Sequence, residues 1–427
     1  MGNRTADDTI VALSSGRPPA AIAIVRTSGP QAFAAAEAIA GPLPPTRQAV
    51  LRRLKDPRDA TLIDEALLVR FDGPASSTGE NIVEYQCHGG RATVDALISA
   101  LLEQPGVRLA EPGEFTRRAL ANGRIDLTEA EGLADLLTAE TELQRRSAMT
   151  RAGGGLRHRL DGWRERLLAL AAQAEVAIDY ADEEDGATDA DLSADAKRLA
   201  DEMGRLLDAP RVEPLRDGVR VVVAGPPNAG KSSLVNALAQ SEKAIVTHIA
   251  GTTRDVIEVP IAINGIPFVL VDTAGLRDSD DVIEAIGIDL ARQEAERADL
   301  LLWLDTASPA PARSGVIAVA PKADLGRSDT GLPVSAVTGE GLPDLIRRLV
   351  DGARHLLPKA DELALDRRQH ELLGEACGAI RRSAGLKDPV LIAEELRSAR
   401  AALDRISGRA GVEDLLDALF GRFCLGK

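Results

Sequence analysis

From Gly225 to Ser233 the chain reads GPPNAGKSS, a G-x-x-x-x-G-K-[ST] pattern between the β-branched run GVRVVVAG and the helix-forming SSLVNALAQ. That spacing suits phosphate. Consecutive backbone N–H groups through Asn228, Ala229, Gly230, Lys231, Ser232 and Ser233 can wrap the α and β phosphates of a nucleotide at a helix N-terminus. Lys231 can reach the β and γ phosphates, and the Ser232 hydroxyl can ligate magnesium. Downstream, VLVDTAG ends an apolar strand at Asp272, whose carboxylate can hold magnesium through water, while the Gly275 amide can sense the γ phosphate. Between these, AGTTRD offers Thr252 and Thr253, either of which could complete the magnesium shell from a switch loop.

Base choice falls to PKAD, Pro321 to Asp324, because a carboxylate at Asp324 can accept hydrogen bonds from both the ring N–H and the exocyclic amine of guanine. GTP is therefore expected over ATP. The familiar version of this motif is Asn-Lys-x-Asp; with Pro321 in the first place, guanine specificity with weakened affinity is expected. VSAVTGEG, with Ser335 and Ala336, supplies the remaining base-contacting loop. Leu276 stands directly after Asp-Thr-Ala-Gly, and an apolar residue cannot orient water. Glu284, Arg254 and Arg277 are the nearby candidates for hydrolysis, and spacing does not choose among them. FCLGK carries Cys424 but departs from the C-a-a-X prenylation pattern at Gly426 and Lys427, leaving a reactive thiol or a helix end as its readings.

The elements that must position these groups follow from periodicity. The first 120 residues alternate strand-like runs, AAIAIVRTSG, EALLVRF and NIVEYQCHGG, with turn residues, which predicts a mixed α+β domain. From Thr128 the spacing becomes helical, with Thr128 and Glu131 in a capping-box pattern and an interruption near Gly153 to Gly155. Residues 121–214 and 353–427 read as helical, and strand and helix patterns alternate over 215–352, so a parallel α/β domain is expected as an insertion into an all-α domain. The acidic run Asp182 to Asp185 reads as solvated surface.

The chain has 427 residues, a formal net charge of −15 and three widely separated cysteines, so it excludes a disulfide framework and an unaided basic grip on nucleic acid. A reducing, cytoplasmic setting is expected, with no membrane span and no secretion signal in MGNRTADDTI. Cys87 reads as a small buried residue.

Taken with DTIVA, IVRTSG, TGENIVEYQCHGG, PGEFTRRALANGRIDL and FCLGK, these motifs closely resemble the MnmE (TrmE) family of tRNA-modification GTPases over essentially the whole chain. The resemblance implies an N-terminal tetrahydrofolate-binding α+β domain (1–120) that dimerises, a helical domain in two parts (121–214 and 353–427), and an inserted Ras-like P-loop GTPase domain (215–352). It implies a nucleotide site that also takes in Thr247, His248, Ile249, Ala250, Gly251, Thr273, Ala274 and Lys322. Potassium would be held by Asn228, Thr247, Ile249 and Thr252, magnesium by Ser232 and Thr253, and Glu284 would be the catalytic glutamate. Folate contacts are implied at Arg26, Glu84, Arg124 and Lys427, with Cys424 beside the reacting carbon. Arg124 stands where the family commonly has Lys, which keeps the charge and changes the geometry. The implied activity is potassium-stimulated GTP hydrolysis in a homodimer that works with the flavoprotein MnmG, a user of FAD and NADH, to modify the wobble uridine of tRNA. The alternative is a GTP-dependent ribosome-assembly switch, which would ordinarily carry a basic RNA-binding module or a second GTPase domain.

Overall fold

The computed structural model describes residues 8–179, 189–241, 244–246, 257–272, 293–305, 307–326, 330–359 and 362–410, with residues 416, 419–421, 423 and 426. Asp182 to Asp185 lie outside the described residues. Two compact units emerge: residues up to Ala134 together with those from Ser407 onward, and Asp135–Ile406.

In the first unit, β1 (Thr9–Leu13), β2 (Ala20–Ser28), β3 (Ala49–Lys55), β4 (Leu62–Phe71), β5 (Ile82–Gly89) and β6 (Val107–Leu109) form a sheet in the order β3-β4-β5-β2-β1-β6. Only β1 and β6 run parallel. The three runs read as strands become β2, β4 and β5. Side chains of one face, among them Val25, Leu68 and Tyr85, pack with Ala36 and Ile39 of helix Ala32–Ala40 and with Val94 and Leu97 of helix Arg91–Leu102. The other face of β3 and β4 is open, and alternation there puts Leu51 and Leu67 opposite each other in register, both exposed.

Helix Leu127–Thr138 begins two residues earlier than the Thr128/Glu131 pattern predicts. Asp126 Oδ1 accepts from the Glu129 N–H at 2.9 Å and Glu129 Oε2 accepts from the Asp126 N–H at 2.7 Å, so the reciprocal cap is Asp126/Glu129. Thr128 instead donates its hydroxyl to Asp126 Oδ1 at 2.7 Å. An ionised side chain two residues upstream of Thr128 outcompetes a neutral hydroxyl for the free helix N–H groups.

The tail from Ser407 packs within this unit. Gly113, with φ 71°, leaves room for Phe420, whose carbonyl would lie 2.7 Å from a Cβ there, and the Arg117 guanidinium sits 5.2 Å over the Phe420 ring. Gly426, with φ 92°, lies so close to β1 that a Cβ would come within 2.0 Å of the Leu13 carbonyl oxygen, and its own carbonyl accepts from the Ser14 hydroxyl at 2.9 Å.

The second unit holds two cores. Helices Gly155–Asp179, Asp189–Leu207, Arg367–Ser383 and Pro389–Ser407 share one, built on Leu160, Trp163, Leu199, Met203, Leu373, Ile380 and Leu403. Sequence before and after the α/β segment therefore meets in a single helical core, as an insertion requires. The expected interruption near Gly153 appears between helices Glu142–Ala152 and Gly155–Asp179, with Gly154 at φ 81°.

Between them β7 (Val219–Ala224), β8 (Ala244–Val246), β9 (Ile257–Ile263), β10 (Ile266–Asp272), β11 (Leu300–Trp303), β12 (Val316–Pro321) and β13 (Leu332–Val334) form a second sheet, ordered β13-β12-β11-β7-β10-β9-β8. The strands from β13 to β10 are parallel, and β9 is antiparallel to its neighbours. Strands β7 and β10 are buried on both faces, which is why they read as nearly unbroken apolar runs. Gln144 Nε2 donates to the Leu215 and Arg216 carbonyls at 3.1 Å each, tying the segment that enters β7 to helix Glu142–Ala152.

Candidate functional site

The phosphate loop follows β7 and opens helix Lys231–Ala239. Its shape depends on three left-handed positions, Gly225 at φ 155°, Asn228 at φ 60° and Gly230 at φ 94°. Gly225 also has no space for a side chain, because a Cβ would stand 3.0 Å from the Leu304 Cβ on the neighbouring strand's continuation. Gly230 caps the helix without any side-chain hydrogen bond, so the first N–H groups of the helix are not taken by a capping side chain. Lys231 is buried, and its Nζ donates to the Gly225 and Pro226 carbonyls at 3.1 and 3.0 Å. Those two bonds lay the ammonium along the loop. Ser232 and Ser233 are exposed at the mouth. Asp272 ends β10 and is buried, in register with Val223 of β7, which places it on the strand beside the one that feeds the phosphate loop.

A cleft of ≈ 160 Å³ joins the phosphate loop to the two base loops, and Ala229, Gly230, Ser233, Pro321, Lys322, Asp324 and Ala336 line it. Lys322 Nζ donates to the Asn228 carbonyl at 2.7 Å, so the base loop and the phosphate loop are bonded to each other. Ser335 is fully buried, and its hydroxyl accepts from the Val337 and Thr338 N–H groups at 3.3 and 3.1 Å. It shapes the turn, and Ala336 presents the surface. Two lining residues, Leu325 and Val337, carry no signal in the motifs, yet both are apolar and exposed on the cleft, where a purine face would meet them. Their only sequence mark is adjacency, to Asp324 and to Ala336.

The donor set suits a nucleoside triphosphate with magnesium: a cation on the loop, helix N–H groups that no capping side chain takes, a hydroxyl at Ser232, a buried carboxylate at Asp272 and an exposed one at Asp324. Thr247, His248, Ile249, Ala250, Gly251, Thr252, Thr253, Arg254, Thr273, Ala274, Gly275, Leu276, Arg277 and Glu284 lie outside the described residues, as do Cys424 and Lys427.

In the first unit, the register of β2 on β5 sets Arg26 opposite Glu84. Arg26 Nε and Nη2 both donate to Glu84 Oε1, at 3.0 and 2.8 Å, and the guanidinium lies 5.6 Å over the Phe115 ring. Phe115 belongs to helix Glu114–Ala121, whose cap Gly113 meets Phe420 of the tail, and Gly426 rests on Leu13, the register partner of Val25 beside Arg26. Arg26, Glu84 and the tail thus surround one end of β1 and β2. Arg124 follows the same helix, exposed, with its Cγ 3.3 Å from where a Gly79 Cβ would stand. No hydrogen bond joins its side chain to the Arg26–Glu84 pair among the described residues. The pair accounts for one carboxylate oxygen, and Oε2 is suited to accept from an amino-pyrimidine N–H, so a folate fits this donor set. Cys87 is buried with its Sγ 3.6 Å from the Ala23 carbonyl, and burial followed by the Asp64 carboxylate pushes its thiol up, as packing and not reactivity requires.

Residues 9–124 match the family described as GTP-binding protein TrmE N-terminus, and residues 127–424 match the family described as MnmE helical domain. The chain belongs to the MnmE family of tRNA modification GTPases. It is 55% identical over 424 residues to the tRNA modification GTPase MnmE of Erythrobacter litoralis, covering 98% of this chain and 100% of the relative. The proteins of the same name from Novosphingobium aromaticivorans and Rhizorhabdus wittichii are 51% and 53% identical, covering 98% and 99% of this chain and 100% and 97% of their own lengths. No helix among the described residues is long and apolar enough to cross a membrane.

Proposed function

We propose that the chain is a potassium-stimulated GTP hydrolase that works with the flavoprotein MnmG to add an aminomethyl or carboxymethylaminomethyl group to carbon 5 of the wobble uridine of certain tRNAs. Full-length similarity to proteins named tRNA modification GTPase supports the reading, since it spans both the unit with the Arg26–Glu84 pair and the unit with the phosphate loop.

Lys231, released from its loop carbonyls, would pair with the β and γ phosphates, while Asp324 selects guanine and Lys322 keeps the base loop on the phosphate loop. Ser232 and Thr253 would hold magnesium, with Asp272 acting through water, and Asn228, Thr247, Ile249 and Thr252 would hold potassium. These ions would neutralise charge that develops on the transferring phosphoryl group. Glu284 would position the attacking water. Glu84 and Arg26 would orient a tetrahydrofolate that supplies the carbon, with Arg124, Cys424 and Lys427 completing that site. The open face carrying Leu51 and Leu67 suits a second copy of the chain, because a solvated β face seldom presents registered leucines without a partner. FAD and NADH would belong to the partner flavoprotein, and the setting would be the cytoplasm.

Mass spectrometry of wobble uridine in tRNA from cells lacking this protein tests the reading. Loss of the modification, restored by the wild-type chain and not by Glu284→Ala, is the expected result; unchanged uridine in the deleted strain would remove it. Hydrolysis measured in matched chloride salts should be much faster in potassium than in sodium, and Asn228→Ala should erase that difference.

A further inference from the structure

An open cleft of ≈ 910 Å³ lies in the second unit, and the nucleotide site makes no use of it. Arg159 enters it from helix Gly155–Asp179, Arg205 from helix Asp189–Leu207, and Lys359 from the segment after helix Leu342–Arg354. All three are exposed. Several arginines elsewhere in the helical core are paired where they stand, among them Arg164 with Asp404, Arg382 with Glu395 and Arg405 with Glu375. No carboxylate among the described residues forms an ion pair with Arg159, Arg205 or Lys359. Of the two carboxylates that line the cleft among the described residues, Glu202 is engaged by Trp163 Nε1 at 2.9 Å and by Arg166 at 2.6 Å and also feels the Arg205 charge, so positive charge still exceeds negative around the opening. In a chain of net charge −15 that local excess is out of character.

We propose that this cleft binds the phosphodiester backbone of the tRNA substrate, an inference that rests on the tRNA reading above. The three cations stand on separate elements around a wide opening, which suits successive phosphates of a strand better than one small anion. Among the described residues no aromatic side chain lines the cleft to stack on bases, so the contact positions the RNA without reading its sequence. Recognition of the wobble position is then left to other surfaces of the assembly.

The test uses the full chain, alone and with its flavoprotein partner, and an unmodified tRNA transcript titrated across a potassium chloride series. In Arg159→Ser/Arg205→Ser/Lys359→Ser, affinity should fall by about tenfold or more at low salt. The slope of log K against log salt should become shallower by about 2 to 3. GTP turnover should be unchanged, which also shows that the variant folds, and Arg159→Lys/Arg205→Lys should keep the wild-type slope. Equal affinity and slope in the triple serine variant, with wild-type binding intact, overturns the cleft. Absence of any tRNA binding by the wild-type chain, alone or with the partner, instead overturns the tRNA reading beneath it. Loss of inorganic phosphate binding with tRNA affinity unaltered would make this a small-anion site and likewise overturn the proposal.

Discussion

The phosphate loop and the Arg26–Glu84 pair are both candidate ligand sites, but they are built by opposite means. In the loop, nine contiguous residues supply the glycines, the lysine and the hydroxyls, and the local backbone brings them together. In the N-terminal sheet, two residues 58 apart meet only because β2 and β5 pair in one register, and a tail 412 residues from Ser14 closes on the same strands. A site written into one short segment withstands changes elsewhere in the fold. A site made by register is lost with any change that slips the sheet, because a shift of one residue sends every side chain to the other face.

Lys231→Ala should break the first site most severely. Hydrolysis of GTP should fall by about 10²- to 10³-fold, because the ammonium acts on charge that grows in the transition state. The tetrahydrofolate affinity proposed for the N-terminal unit should not change, and a parallel loss of it would show that the two sites are not separate. Steady-state turnover and calorimetric titration with a tetrahydrofolate check this.

Next in size is the acid sensitivity of the N-terminal sheet. Burial pushes the Glu114 carboxyl up, but Arg108 and Arg118 outweigh it and hold it below its ordinary value; Asp8 is held low in the same way by the same two arginines. Carboxylates with depressed pKa values stabilise the fold above their unfolded values and lose that contribution as pH falls through the folded ones. The N-terminal unit should therefore lose stability as pH drops below the ordinary carboxylate range. Glu114→Gln should remove part of that dependence and lower stability at neutral pH by about 3 kcal/mol, since Arg108 and Arg118 then lose a buried partner. Denaturant unfolding at a series of pH values checks both, and an unchanged acid limb in the variant would contradict the assignment.

A smaller effect separates register from charge. Glu84→Gln should weaken tetrahydrofolate binding by about tenfold, because the acceptor stays in place but its charge is lost. GTP turnover should stay at the wild-type rate. Equal folate affinity would remove Glu84 from the ligand contacts and leave it as a partner for Arg26.

The smallest concerns the corrected helix cap. Asp126→Ala should cost about 1 kcal/mol of stability, and Thr128→Ala should cost less, since only Asp126 accepts from a free helix N–H. The reverse order, measured by chemical denaturation, would restore the Thr128 reading.

Sequence alone determined what depends on neighbours along the chain. The strand–loop–helix around Lys231, Asp272 at the end of an apolar strand and the strand ending at Pro321 are all local patterns, and each appears where those patterns put it. The cap departs from the expected position for a local reason as well: two overlapping patterns lie two residues apart, and the charged one wins. Only tertiary structure decided the rest. Nothing near Ser335 in the sequence says that its hydroxyl is used inside its own turn, while the exposed Leu325 and Val337 face the base cleft. Likewise, no spacing sets Arg26 against Glu84, brings Gly426 onto Leu13, or gathers Arg159, Arg205 and Lys359 around one opening. Those meetings follow from strand register and helix packing, whose energies are summed over whole faces and which no short window of residues contains.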